Sequence, residues 1–241
     1  MYQDFFIPAD GRSLLIADVE FVTDRLEDDD GWDDAVANGE LLPFALSEKF
    51  PLGLRARVGA LTEPEEAGWI GRVRWKLSAP SGRIVIANGL HDLFDAADDS
   101  YDGNSIGIQE GEYAATLYTM VTSFNAPYCL MQADDVDWDE QQRFGDWWRK
   151  TRPTQDFPDW LNALCMIDPN NDPGHRKQWE DLDPDEEDRL EALWEDRPWA
   201  DYVLQLEPLT GALEMPELDD GLLFETEVRR TERCPEAIEL D

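Results

Sequence analysis

Lysine and arginine are scarce in this sequence. The chain of 241 residues has 20 of them against 55 aspartates and glutamates, which gives a formal net charge of -35 at pH 7. A folded surface of this sign repels nucleic acids and anionic membranes, and it attracts basic molecules over a Debye length of about 8–10 Å. We therefore expect a basic protein as the partner, with no direct binding to nucleic acid and no binding to a membrane.

Cysteines and long apolar runs are scarce as well. The three cysteines, Cys129, Cys165 and Cys234, form no C-x-x-C pair, which excludes a zinc ribbon and a dithiol redox motif. A sparse, odd count is typical of reduced thiols in the cytoplasm. No apolar stretch approaches the ~20 residues of a membrane helix, and residues 1–11 lack the basic region and apolar run of a signal peptide. The sequence therefore predicts a cytoplasmic protein with buried cysteines.

Motifs for chemistry are few. The sequence has no Walker loop, Rossmann glycine fingerprint or H-E-x-x-H motif, so it predicts no cofactor. Residues 98–110, "DDSYDGNSIGIQE", match a calcium loop in part, but Gln109 stands where a bidentate Glu is needed. They also contain Ser105 in a G-x-S-x-G pattern, but a strand pattern follows it in place of a helix, and the only histidines are His91 and His175. We predict an acidic surface loop with no catalytic or metal-binding residue, in a protein that is not an enzyme.

Hydrophobic residues are plentiful despite the charge. They make up 42% of the chain, and ten tryptophans are among them, whereas a disordered acidic chain lacks such residues. In the first half, apolar residues alternate with polar ones, which is typical of strands. Two of these segments, joined by "APSG", predict a hairpin. The predicted strands are residues 13–23, 54–61, 68–78, 83–89 and 111–124, which indicates an antiparallel β-sheet or sandwich.

Several basic residues lie on these predicted strands. We expect them to form solvated strand faces paired with neighbouring carboxylates, and we prefer this interpretation to an anion-binding site. They are Arg55, Arg57, Arg72, Arg74, Lys76 and Arg83.

The second half of the chain changes character near residue 133. Residues 137–152, 157–167 and 183–197 predict helices, and the last of these has Pro184 at its first helical position. Residues 201–209 predict one further strand.

The fold class predicted from both halves is α+β. An N-terminal antiparallel β-sheet or sandwich is followed by a Trp-rich, mainly helical region with a late strand. Seven of the ten tryptophans lie in residues 138–199, where we expect them to pack between helices and sheet. We expect a β-rich domain over residues 1–130 and an α-rich region packed on it over residues 131–241, or one continuous domain.

Three acidic runs each surround an aromatic residue. Buried Trp and Tyr side chains supply much of the energy of protein interfaces, while charged groups at the rim steer the encounter. Such runs suit a basic protein partner, although in any one run the ring could instead fold back onto the core. The predicted partner-binding residues are Asp28, Asp29, Asp30, Trp32, Asp33 and Asp34 in the first run, Asp98, Asp99, Tyr101 and Asp102 in the second, and Asp134, Asp135, Asp137, Trp138 and Asp139 in the third.

The segments "LRARVGALTEPEEAGWIGRVRWKLSAPSGRIVIANG", "EGEYAATLYTM" and "ADYVLQLEPLT" resemble bacterial immunity proteins of polymorphic and type VI secretion toxins. The resemblance covers most of the chain but includes no diagnostic motif, so it assigns no functional residue. It implies a cytoplasmic, non-enzymatic protein that binds one cognate toxin and blocks it.

Three other functions fit the same composition. A nucleic-acid mimic would inhibit DNA-binding proteins, as anti-restriction factors do, but it needs carboxylates spaced like phosphates along one face. An enzyme could hold a metal with carboxylates alone. Adaptation to high salt would also produce an acidic chain poor in lysine.

Overall fold

The computed structural model describes residues 1–8, 11–25, 32–47, 51–97, 104–136, 143–167, 184 and 198–241. Within them, the strands form a six-stranded and a four-stranded sheet. The strands are β1 (Tyr2–Ile7), β2 (Ser13–Asp18), β3 (Leu41–Ala45), β4 (Leu52–Val58), β5 (Trp69–Ala79), β6 (Arg83–Asn88), β7 (Ser105–Gly107), β8 (Gly111–Met120), β9 (Tyr202–Pro208) and β10 (Glu227–Val228). The six-stranded sheet has the order β1-β4-β9-β8-β5-β10, and the four-stranded sheet has the order β3-β2-β6-β7.

Helices accompany both sheets, which confirms the predicted α+β class. Four helices in the first half of the chain were not predicted from the sequence, and one of them, α1, begins inside the strand predicted over residues 13–23. The helices are α1 (Val19–Arg25), α2 (Trp32–Asn38), α3 (Glu63–Gly68), α4 (Leu90–Ala97), α5 (Ala126–Asp134), α6 (Phe144–Thr151) and α7 (Asp159–Ile167).

The main core cluster contains side chains of both sheets and of helices α1, α2 and α4. On β5, Val73, Trp75 and Leu77 are buried in it, and the same cluster contains Leu15 of β2 and Ile86 of β6. The intervening residues of β5 point to the opposite face, as the alternation in the sequence predicts. We call that opposite face of the six-stranded sheet its outer face.

The predicted hairpin of residues 68–78 and 83–89 is wrong. The chain turns at Gly82, which has a φ of 70°. From there β6 enters the four-stranded sheet, where it pairs with β2 and β7, whereas β5 pairs with β8 and β10. The turn therefore connects the two sheets.

The predicted strand over residues 13–23 is half right, since β2 ends at Asp18 and α1 follows. Asp18 is fully buried, and its carboxylate accepts hydrogen bonds from the N–H groups of Glu20 and Ser81. The first of these bonds satisfies an N–H at the start of α1, which is the role of a helix N-cap. A polar side chain inside the apolar pattern thus marks the change from strand to helix.

The late strand predicted over residues 201–209 is present as β9. It lies between β8, to which it is antiparallel, and β4, to which it is parallel. Strands from both halves of the chain therefore share one sheet, while the division into domains near residue 130 stays a prediction.

The predicted helix over residues 157–167 is confirmed by α7, and α6 confirms the second part of the one predicted over 137–152. Together with α5 they surround a second core cluster, in which Trp147, Trp148 and Trp160 are buried with Trp199. The expected packing of tryptophans between helices and sheet is confirmed for these four. The helix predicted over residues 183–197 lies outside the described residues, except for Pro184. Within the described part of the chain, no helix is long and apolar enough to cross a membrane.

Candidate protein-binding surface

Ion pairs occupy many of the basic side chains of this acidic protein. On the outer face, Arg55 donates two hydrogen bonds to Asp4, at 2.7 and 2.6 Å. That contact raises the pKa of Arg55 above its ordinary value. Basic side chains within 4 Å of a carboxylate include Arg55, Arg57, Arg72, Arg74, Lys76, Arg149, Arg152 and Arg230.

This pairing confirms one prediction from the sequence and corrects another. Of the basic strand residues named in the sequence analysis, five pair with carboxylates in the described residues, as expected: Arg55, Arg57, Arg72, Arg74 and Lys76. The side chains of Arg55 and Arg57 are only 11% and 13% exposed, so they are not solvated. Because these cations are matched locally, the excess of negative charge belongs to the acidic residues elsewhere on the chain.

The first acidic run is described from Trp32 onward, and Asp28, Asp29 and Asp30 lie outside the described residues. Trp32 begins α2, and it is half-buried against the main core. Its indole N–H donates a hydrogen bond to the carbonyl of Gly221 at 3.4 Å. Asp33 and Asp34 are exposed in the first turn of the same helix. Part of the ring and the two described carboxylates of this run are thus accessible to a partner.

The other two acidic runs are described in part or not at all. Asp98, Asp99, Tyr101 and Asp102 lie outside the described residues, as do Asp137, Trp138 and Asp139. Asp134 is the last residue of α5, and it accepts a hydrogen bond from Arg230 at 2.7 Å.

Asp135 follows Asp134 in the left-handed conformation that ends α5, and it is exposed. Asp134 belongs to the neighbourhood of the tryptophan cluster, because the guanidinium of its partner Arg230 lies 5.0 Å from the ring of Trp147. Trp32 of the first run packs instead against the main core cluster. The described residues of the two runs therefore lie near different core clusters.

The serine and histidine considered from the sequence occupy ordinary structural positions. Ser105 begins β7 and accepts a hydrogen bond from Arg83 at 3.4 Å. A strand, β8, comes next in the chain, whereas a hydrolase elbow leads into a helix. His91 lies on α4 with its Nδ1 atom 3.5 Å from the carboxylate of Asp95. His175 lies outside the described residues.

One group of side chains has the composition of a metal site. His91, Asp92 and Asp95 on α4 offer ligand atoms within 4.8 Å of one another. The side chains of His91 and Asp95 are 81% and 60% exposed. Exposed carboxylates on one helical turn are common in an acidic protein, so this group alone does not establish a metal site.

The two cysteines whose side chains are described are buried free thiols. Burial raises the pKa of Cys129 well above its ordinary value and raises the pKa of Cys234 to about 12. A thiol is a nucleophile in its ionised form, so both are inert at neutral pH. The sequence-based expectation of buried cysteines is confirmed for these two.

Strand β1 was missed in the sequence, although its signal is present there. In "YQDFFI", Phe5 and Ile7 are buried while Tyr2 and Phe6 are 45% and 41% exposed. The alternation of faces is that of an ordinary strand, but two large aromatic side chains occupy the face that is normally polar. This strand forms one edge of the six-stranded sheet.

Comparison with known proteins gives remote similarity alone. No family model matches this sequence. No curated protein matches it either. Solved structures that are similar to this chain include crocagin biosynthetic gene J, at 11% identity and a TM-score of 0.41, over 86% of this chain and 97% of that one. They also include ComJ from Bacillus subtilis, an inhibitor of the DNA-degrading activity of NucA, at 13% identity and a TM-score of 0.32, over 51% of this chain and 83% of that one.

Proposed function

We propose that this chain is a non-enzymatic binding protein that neutralises a basic protein partner. Its most specific form is an immunity protein that acts in the cytoplasm and blocks a cognate toxin, such as a nuclease delivered by type VI secretion. The observation that supports the proposal is the charge of -35 on a folded chain whose basic strand residues are matched by carboxylates.

A nuclease is a suitable partner for electrostatic reasons. An enzyme that holds the phosphates of DNA or RNA needs a positive surface at its active site. A strongly negative protein is attracted to that surface before contact, and the attraction raises the association rate. The same negative charge repels nucleic acid, so nucleic acid does not bind to the inhibitor in place of the nuclease.

The first acidic run offers both an aromatic ring and exposed carboxylates in the described residues. Asp33 and Asp34 would steer the encounter, and the accessible part of Trp32 would become buried in the complex. The remaining predicted residues belong to the same proposal: Asp28, Asp29 and Asp30 of the first run and those of the second and third runs.

Expression with its gene neighbours tests the proposal. Each open reading frame adjoining this gene is expressed in a heterologous bacterial host, alone and together with this chain. We expect one neighbour to be basic and toxic, this chain to restore growth, and the two purified proteins to elute as a stoichiometric complex. If this chain neither relieves the toxicity of a neighbour nor binds its product, the immunity proposal is wrong. Binding to DNA-binding proteins in place of a toxin would support the nucleic-acid mimic.

Association kinetics of that complex test the role of the first run. Replacing Asp33 and Asp34 by Asn should lower the association rate and its dependence on salt. The matched control replaces Asp146 and Asp156, which are also exposed, by Asn. Both double variants then change the net charge by the same amount. Equal effects of the two double variants would assign the steering to total charge and not to this run.

A further inference from the structure

The edge of the six-stranded sheet at β1 has backbone groups that point away from the sheet. The N–H of Val58 donates to the carbonyl of Met1 at 3.0 Å, so the odd-numbered residues of β1 bond to β4. Along a strand of an antiparallel pair, the backbone N–H and C=O groups of successive residues point alternately toward the partner strand and away from it. The groups of Tyr2, Asp4 and Phe6 therefore point outward. Within the described part of the chain, these outward groups have no hydrogen-bond partner.

The other sheet edges in the described residues are covered or short. The carbonyl of Pro43 in β3 accepts a hydrogen bond from Leu223, whose own carbonyl accepts one from Ala45. Strand β10 covers part of β5 and is only two residues long, and β7 is three residues long. Covering and shortening are the usual means by which proteins protect sheet edges. Strand β1 has six residues and a continuous register with β4.

The side chains of β1 lack the usual protection too. Lysine, proline and bulges on an edge strand prevent further pairing, and residues 2–7 contain neither lysine nor proline. The one charged side chain, Asp4, is bound to Arg55. Tyr2 and Phe6 lie on the outer face, about 13 Å apart along the strand at 3.3 Å per residue. An added strand would find both rings beside it.

The ring of Tyr2 is held in place by its neighbours. The guanidinium groups of Arg55 and Arg57 lie 4.7 and 5.3 Å from its centre. Its hydroxyl donates a hydrogen bond to Asp241, and the N–H of Asp241 donates one to Asp4 at 2.8 Å. A side chain that is already ordered loses little further entropy when a partner covers it.

We propose that β1 is a docking edge at which an extended, basic segment of the partner protein adds to the six-stranded sheet. The added strand would bond to the backbone of Tyr2, Asp4 and Phe6, and its alternate side chains would contact the two rings. Exposed Glu239 and Asp241 lie at this edge, where Asp241 contacts Tyr2, and the carbonyl of Glu239 accepts a bond from Arg55. Lysine or arginine on the added strand would complement these carboxylates.

The net charge of the chain favours a basic strand over a second copy of this chain as the occupant of the edge. A second copy of this chain could pair its own β1 with the edge, but each copy has a net charge of -35, and the repulsion opposes that assembly. A basic strand gains from the same field. The proposal rests on the proposed function for the class of the partner, and β-strand addition then identifies where that partner binds.

A peptide probe tests the edge directly. The probe is a short fluorescein-labelled peptide in which lysine alternates with valine or threonine, and its control has the same charge with prolines at alternate positions. We expect the first peptide to bind at least about tenfold more tightly, because proline lacks the N–H group that pairing requires. Bound peptide should slow hydrogen exchange of the Asp4 and Phe6 amides by at least about tenfold and leave that of Phe5 unchanged. Equal binding of both peptides, or unchanged exchange, would overturn the proposal.

A pair of variants separates the edge from general charge attraction. Phe6→Lys should weaken binding of the alternating peptide about tenfold or more, since lysine protects an edge and repels a basic strand. Phe224→Lys changes the charge equally at a residue of similar exposure, 44% against 41%, and should have little effect. Equal weakening would show that the peptide binds by charge alone. Light scattering adds a check, because a wild-type dimer that Phe6→Lys converts to a monomer would assign the edge to self-pairing and overturn the proposal.

The outcomes for site and function are distinguishable. If the peptide adds to β1 but no toxin is neutralised, the docking edge stands and the immunity proposal fails. If a toxin is neutralised and Phe6→Lys binds it as tightly as wild type, the immunity proposal stands and the docking edge is wrong.

Discussion

Glu65 is a carboxylate on which two arginines of β4 depend. It is 1% exposed, and it accepts hydrogen bonds from the N–H of Thr62 at 2.7 Å and from Arg57 at 2.8 Å. A nitrogen of Arg55 lies 3.8 Å away. The bond to Thr62 completes the capping box that starts α3. One side chain thus fixes a helix start and pairs with two largely buried cations, of which Arg55 is also paired with Asp4.

We expect Glu65→Ala to lower the free energy of unfolding by about 3–5 kcal/mol, because it leaves the largely buried Arg57 without its countercharge and removes one of the two carboxylates near Arg55. Urea denaturation followed by circular dichroism measures the change. Glu63→Ala, at an exposed position of the same helix, should change stability by about 0.5 kcal/mol or less. Similar losses in both variants would mean that α3, and not the ion-pair cluster, accounts for the effect.

The thiol of Cys234 predicts how stability responds to high pH. Burial raises its pKa from an ordinary value of 9.0 to about 12. Below pH 9 the thiol keeps its proton in both folded and unfolded chains, so it causes no change. Between pH 9 and 12 only the unfolded chain loses the proton, and stability should fall by about 1.4 kcal/mol per pH unit.

Urea midpoints measured across this range for wild type and Cys234→Ala isolate the contribution of the thiol. Tyrosines with raised pKa values, such as Tyr118 and Tyr202, affect both proteins equally. The variant should therefore lose stability more slowly as the pH rises, whatever its stability at neutral pH. Parallel curves for the two proteins would contradict the assignment.

At the scale of elements, the sequence pattern predicts which face of a strand is buried better than it predicts which strands pair. The alternation in β5 predicts which of its residues are buried, because successive side chains of a strand point to opposite faces of the sheet. Pairing depends on contacts far along the chain. The turn at Gly82 looks local, yet β6 pairs with β2, and β9 pairs with β4 about 150 residues away in the chain.

Short helices were missed for a related reason. A window of seven residues such as α1 is too short for a helical period to stand out, and the residues before it form a real strand. Helices α6 and α7 were identified because their apolar residues recur at helical spacing. Length alone does not account for the difference, since α4 and α5 have the same lengths of eight and nine residues and were not predicted.

Helix α6 should depend strongly on its tryptophans. Trp147 is 2% exposed, packs with Phe144 at a ring distance of 6.1 Å, and joins α6 to the rest of the second core cluster. Trp147→Ala should lower the free energy of unfolding by about 3–5 kcal/mol, as large-to-small changes in a core do. Phe94→Ala removes an aromatic ring that is 38% exposed on α4, and should cost about 1 kcal/mol or less. Thermal melts of both variants measure the losses of stability. A loss of stability in Trp147→Ala as small as that in Phe94→Ala would place α6 outside the cooperative core.

At the scale of the whole molecule, composition predicts the class of partner more readily than the place where it binds. Net charge is a sum and needs no structure. Its distribution depends on pairings such as that of Asp134 with Arg230, which are 96 residues apart. The open edge at β1 emerges only from the order of the strands, because the same six residues in the middle of a sheet would have no outward backbone groups.

Salt dependence separates a binding function from adaptation to high salt. With a net charge of -35, the folded chain repels itself, and added salt screens that repulsion. Raising the ionic strength from 0.01 M to 0.15 M shortens the Debye length from about 30 Å to about 8 Å, and further salt shortens it by only a few ångströms. We therefore expect the protein to be folded at 0.01 M, its unfolding temperature to rise by roughly 2–8 °C up to 0.15 M, and little to change beyond. Calorimetric melts in NaCl and in KCl of equal strength measure this and control for a specific cation. A chain that folds only in molar salt would owe its acidity to its environment, and charge would then no longer support a basic partner.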